Sequence, residues 1–135
     1  MKRGISSQGF TLLEVLVAIT ILAIGLLGVA SMQLSAISGN RLGNELTVAA
    51  FLAQAQIEAC KSADLNSAIL DTSIDHSDPG NPIDETGEKG GIFVRTWNVA
   101  ENTTFSRTVT VTVSWPPGIL AHSVVLNTTT RGGGI

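Results

Sequence analysis

The stretch "SSQGFTLLEVLVAITILAIGLLGVASMQL", Ser6 to Leu34, decides the reading of the fold, because it sets one carboxylate, Glu14, near the start of an otherwise uncharged apolar run. As a helix, the part from Leu12 to Leu34 rises on the order of 34 Å, enough to cross a hydrocarbon core of about 30 Å, so a membrane span is the first expectation. Lys2 and Arg3 precede the run and favour an N-terminus kept in the cytoplasm, with the remaining chain sent across. The 135 residues are 44% hydrophobic and only 14% charged, and the apolar content is concentrated at this end, which leaves enough chain for one small domain beyond it.

A cleavable secretory signal shares the basic start and the apolar run. Ala30-Ser31-Met32 is a tolerable cleavage site for one, but such a signal has no use for Glu14. An acid at the centre of a span costs roughly 2.5–3.5 kcal/mol, less near the interface, and calls for a partner. No Lys, Arg or His lies between Val15 and Arg41, so the span itself does not supply one.

The segment "GFTLLEV", Gly9 to Val15, resembles the processing site of type IV prepilins: a short basic leader ending in glycine, then an aromatic residue, then glutamate as the fifth residue of the product. The resemblance implies that prepilin peptidase cuts between Gly9 and Phe10 on the cytoplasmic side and methylates the new amine of Phe10. It further implies that Glu14 of an incoming subunit pairs with the Phe10 amine of a neighbour, which supplies the missing cation. A buried charge is penalised when alone and strongly attracted to a partner in low dielectric, so the acid becomes a recruitment signal. A signal-anchored protein with an incidental Glu14 is the plainer alternative, and it leaves the leader unexplained.

Beyond the span, Leu42, Leu46, Ala49, Ala53, Ile57 and Cys60 recur every three or four residues, with Arg41, Asn44, Glu45, Gln54, Glu58 and Lys61 elsewhere on the helix. This predicts one helix from near Phe10 to near Lys61, about 80 Å long, membrane-spanning in its first half and amphipathic in its second. Gly25, Gly28, Gly39 and Gly43 interrupt it. They suit either close helix packing or local melting on assembly. Many major pilins carry a proline in the middle of this helix, and here none occurs before Pro79, which favours packing.

From Ser62 to Gly91 seven acids lie among the turn-forming clusters "DPGNP" and "TGEKGG", which predicts a connecting loop with a short helical piece near Leu65 to Leu70. Calcium ligation is one reading of these acids, but their spacing departs from the twelve-residue calcium loop, and a solvated acidic surface is the simpler one. The period then changes to two. In "RTVTVTVSW", Val109, Val111, Val113 and Trp115 share one face and the intervening Thr and Ser the other. "IFVRTWNV", Ile92 to Val99, forms a strand before it, and a third covers about Ala121 to Thr129. The expected fold class is α+β, pilin-like, with the amphipathic half of the helix covered by a small antiparallel sheet. The parts are a leader (1–9), a transmembrane and assembly half-helix (10–34), an amphipathic half-helix (35–63), an acidic loop (64–91) and a sheet region (92–135).

The tryptophan-bearing first strand, the second strand ending "VSW" at Val113 to Trp115, and "AQAQIEA", Ala53 to Ala59, are similar to small pilins and pseudopilins of the V and I types. The chain lacks the cysteine pair that closes the C-terminal loop of many major pilins, which fits a minor subunit. Cys60 is the only cysteine, and its place on the apolar stripe suits a small buried residue. His76 and His122 form no metal spacing, and neither a phosphate-binding glycine motif nor a nucleophile elbow is present, so no metal, other cofactor or enzymatic activity is expected. The net charge of −3 becomes −5 without Lys2 and Arg3, which argues against general nucleic-acid binding.

The resemblance implies a minor pilin of the V type that is processed by prepilin peptidase and joins other minor pilins and the major pilin through its N-terminal helix. It would start in the bacterial inner membrane as a single-pass protein with its C-terminus outside the cytoplasm, then initiate, assemble or cap a type IV pilus. A minor pseudopilin of a type II secretion system shares leader and architecture, and a non-assembling, membrane-anchored binding domain is a third reading of different class.

Overall fold

A computed structural model of the chain describes residues 9–116 and 122–131. One helix, α1 (Leu12–Ser62), is followed by a single 3-10 turn at Ala68–Leu70 and four strands: β1 (His76–Ser77), β2 (Val94–Thr103), β3 (Ser106–Trp115) and β4 (His122–Thr130). The fold is α+β, one long apolar N-terminal helix plus an antiparallel sheet in the order β1-β2-β3-β4. The chain divides into two compact units, the first ending at Leu42 and the second beginning at Gly43.

In the first unit α1 passes through Gly25, Gly28 and Gly39 without a break. A methyl group added at any of these glycines would meet nothing within 4 Å. The space they leave is therefore not taken up by the chain itself. Thr20, Ser31 and Ser35 turn their hydroxyls back onto the carbonyls of Leu16, Gly28 and Ser31, at 2.8, 2.8 and 3.2 Å. These polar side chains are thus satisfied within the helix, as a hydrocarbon environment requires. Lys2 and Arg3 lie outside the described residues.

The second unit buries the last turns of α1. Ala49, Leu52, Ala53, Gln56, Ile57 and Cys60 are its buried face, and Leu52 and Gln56 widen the stripe read from the sequence. Leu46, which the periodicity places on that stripe, is 42% exposed. The buried face begins one turn later, at Ala49, because Glu45 on the preceding turn accepts the indole proton of Trp115 at 3.0 Å and so occupies that end of the core. Against the helix lie Val109, Val111, Val113 and Trp115 of β3, all essentially inaccessible, with Phe93 and Val99 beside them. The alternation expected for β3 is present from Val109 to Trp115, with Val109, Val111, Val113 and Trp115 buried and the residues between them half-buried.

Two boundaries differ from the expectation. The β2–β3 hairpin is longer, β2 continuing through "AENT" to Thr103, because Asn102 Nδ2 donates to Thr108 Oγ1 at 2.6 Å and Thr103 and Ser106 join their hydroxyls at 2.8 Å across the turn. The sheet also has a fourth strand, β1, drawn from the acidic connection: His76 pairs with Trp97 and Ser77 with Thr96. Two residues without apolar alternation carry no periodic signal. Their place is fixed by one long-range contact, His76 stacking on Trp97 at 5.2 Å, and one local one, His76 Nε2 donating to the Asp71 carbonyl at 2.8 Å.

The acids of the connection are more than a solvated surface. Asp78 accepts from Arg95 Nε at 3.1 Å and from Arg95 Nη2, and both side chains are only 13% exposed. Arg95 Nη1 reaches the Leu52 carbonyl of α1 at 3.3 Å, so one guanidinium ties loop, sheet and helix together. Asn81 completes the junction by donating to the Arg95 carbonyl and accepting from the Arg95 amide, both at 2.9 Å. Asp71 is held below its usual carboxylate range by the Ser73 hydroxyl and amide, and Asp84 by the Thr86 hydroxyl and by the amides of Glu88 and Thr86. Gly91 is required sterically, since a methyl group there would lie 2.0 Å from the Ile83 carbonyl oxygen.

Candidate functional site: the start of the long helix

Thr11 caps α1. Its side-chain Oγ1 accepts the Glu14 amide at 3.2 Å, while its carbonyl accepts the amides of Glu14 and Val15 at 3.1 and 3.3 Å. The sequence "TLLE", Thr11 to Glu14, thus has the spacing of a capping box, with Glu14 three residues after the cap and in the first helical turn. This local role was legible in the Thr-x-x-Glu pattern and is additional to the pairing inferred from the prepilin resemblance. An acid here also lies near the positive end of the helix dipole.

Only half of the capping box is closed. The Glu14 carboxylate makes no hydrogen bond or ion pair among the described residues, so it is available to a cation from outside the chain. Immediately before the cap, Gly9 and Phe10 are non-helical, and Phe10 is 83% exposed. A side chain built at Gly9 would meet nothing within 4 Å. The chain therefore has no steric need for glycine at this position.

Gly9, Phe10 and Glu14 are consecutive parts of one exposed segment that leads into an uncovered apolar helix. Every residue from Gly9 to Arg41 is exposed, including the apolar side chains from Phe10 to Ile37. An 18-residue window of α1 has a mean hydropathy of 2.6, so the helix is long and apolar enough to cross a membrane. Such a surface is stable in lipid or against other apolar helices, and it suits the membrane anchoring of a pilin.

Residues 5–30 match the family of the prokaryotic N-terminal methylation motif. That match, on a fold with one long apolar helix and an antiparallel sheet, supports a type IV pilin-like protein. More particularly, the motif indicates a pilin-like or pseudopilin substrate of prepilin peptidase and implies pilin–pilin assembly in general. No curated protein and no solved structure matches the chain.

No group of three or more His, Cys, Asp or Glu side chains that would hold a metal ion occurs among the described residues. Cys60 is a free, buried thiol pushed up by burial, with Gln56 Nε2 donating to its sulfur at 3.8 Å.

Proposed function

We propose that this chain is a minor pilin of the V type, with a structural rather than a catalytic role. Prepilin peptidase removes residues 1–9 by cutting between Gly9 and Phe10, and the freed Phe10 amine is methylated. The subunit then leaves the inner membrane through contacts of its apolar helix with other minor pilins and the major pilin, and it takes part in initiating, assembling or capping a type IV pilus.

The observation that carries this reading is the Glu14 carboxylate, left without a partner among the described residues on the first turn of an exposed apolar helix. A cation delivered by the processed Phe10 of a neighbour satisfies it in low dielectric, where an unmatched charge is penalised. The open surroundings of Gly9 support the processing step in a second way. Since the chain tolerates a side chain there, a requirement for glycine is a requirement of the enzyme that must approach the backbone.

The test is Glu14→Gln, which keeps size and helix propensity but removes the charge. Processing and membrane insertion should persist, while crosslinking to other pilins falls. Undiminished crosslinking and an unchanged number of pili would contradict the recruitment role. The identity of the crosslinked subunits separates a pilus from a type II secretion pseudopilus.

A further inference from the structure

The solvent side of the sheet carries a hollow of about 330 Å³ across β1, β2 and β3. Its lining follows from register. Ser77 pairs with Thr96, Thr96 with Thr112, and Asn98 with Thr110. Alternate residues of a strand share a face, and directly opposed side chains stand about 5 Å apart, so these five side chains form a compact polar lattice. Asp75 closes one end, its Oδ1 accepting from Asn98 Nδ2 at 2.6 Å.

The lattice is chemically selective. The hydroxyls of Ser77, Thr96, Thr110 and Thr112 have no hydrogen-bond partner among the described residues. Each is both a donor and an acceptor, and each threonine adds a methyl group. His76 and Trp97 complete the lining; no Lys or Arg belongs to it, and the carboxylate of Asp75 repels phosphate and carboxylate ligands. A single acid is also far short of the six to eight oxygen ligands that a hard cation such as calcium takes, about that number being usual.

We propose that this hollow is a binding site for a neutral saccharide, holding roughly one sugar ring. Sugar hydroxyls are themselves donors and acceptors and match the four free hydroxyls. The Asp75–Asn98 pair offers an acceptor and a carbonyl to adjacent ring hydroxyls, while the threonine methyl groups meet the ring's C–H edge. The volume lies at the small end of the range for ligand sites, about 300–1,000 Å³. Affinity for one sugar should be about millimolar, because the ligand exchanges hydrogen bonds to water for hydrogen bonds to protein. This property is independent of leader removal, since the site lies wholly in the second unit.

The test uses the full-length chain, isotope-labelled, in phosphatidylcholine nanodiscs, with amide resonances followed during titration with glucose, galactose, mannose, N-acetylglucosamine and glucose 6-phosphate. At least one of the four neutral sugars should give saturable shifts at Ser77, Thr96, Asn98, Thr110 and Thr112, with Ser123 and Thr129 unmoved and glucose 6-phosphate weaker. The double substitution Thr110→Val and Thr112→Val keeps side-chain shape and should weaken binding by about tenfold or more, whereas Thr129→Val should not. Absence of saturable shifts with all four neutral sugars, a uniform response over the face, equal binding of the phosphorylated sugar, or full binding by the valine variant would overturn the proposal.

Discussion

Placing a lysine at Val111 should unfold the second unit, whereas a lysine at the adjacent Thr110 should leave it standing. Val111 is fully inaccessible, within a cluster made of Leu52, Ala53, Phe93, Val109, Val113 and other apolar side chains. Exchanging it removes a buried valine, worth about 1.5 kcal/mol or more. To remain buried the new amine must shed its proton, which at pH 7 costs about 4.6 kcal/mol for a group that ordinarily titrates near about 10.4. Together these come to about 6 kcal/mol before any steric strain, against a total stability of about 5–15 kcal/mol for a domain. Thr110 lies on the opposite face and is half-buried, so Thr110→Lys should cost within about 0.5 kcal/mol. Trp97 and Trp115 are the two tryptophans, and both sit in the second unit, so their fluorescence during urea titration in nanodiscs reports its unfolding directly. With a slope of about 1.5 kcal/mol per molar urea, Val111→Lys moves the midpoint by about 4 M or leaves no folded baseline. Equal midpoints for the two variants would refute the assigned strand phase and the core built on it.

The Arg95–Asp78 junction should be sensitive to loss of either partner: Asp78→Asn leaves a nearly buried guanidinium without its carboxylate and should cost about 3–5 kcal/mol in the same assay. With Asp78 intact, Arg95→Lys should also destabilise the unit, because one ammonium cannot span Asp78 and the Leu52 carbonyl as the guanidinium fork does. Asp71 and Asp84 have folded values depressed below their ordinary 3.8, so the stability they contribute is present above that pH and is lost as pH falls through the depressed values. Amide protection factors, the exchange rates taken relative to the intrinsic rate at each pH, should therefore fall around Ser73 and Thr86 below about pH 4, and Asp84→Asn should remove that fall near Thr86. Replacing Gly9 with a bulky residue should leave the helix and the second unit unchanged yet trap the unprocessed precursor in the membrane, as seen by gel mobility; normal leader removal in that variant would show that the enzyme places no demand on the position.

The long helix and the β3 phase were legible because each rests on a sustained period, 3.6 residues in one case and two in the other. Val109, Val111, Val113 and Trp115 alternate with the hydroxyl residues Thr110, Thr112 and Ser114, so their common face needed no tertiary information. The connection was harder to read for a physical reason. Asp71 and Asp84 close local turns, which composition does suggest, but Asp78 meets Arg95 across 17 residues and Asn98 meets Asp75 across 23, and such pairs leave no periodic trace. Strand β1 likewise depends on a distant partner, pairing with β2 and stacking His76 on Trp97 across 21 residues. At the N-terminus, Gly9, Phe10 and Glu14 stood out through their order, whereas Thr11 was overlooked although its spacing to Glu14 announces a helix cap.

The most direct measurement is the intact mass of the chain recovered from membranes, with sequencing of its first residues. The account predicts a chain beginning at Phe10, lacking Met1 to Gly9 and carrying one methyl group on the Phe10 amine. A chain still beginning at Met1, or one cut near Ala30-Ser31-Met32 with the apolar run removed, would contradict it.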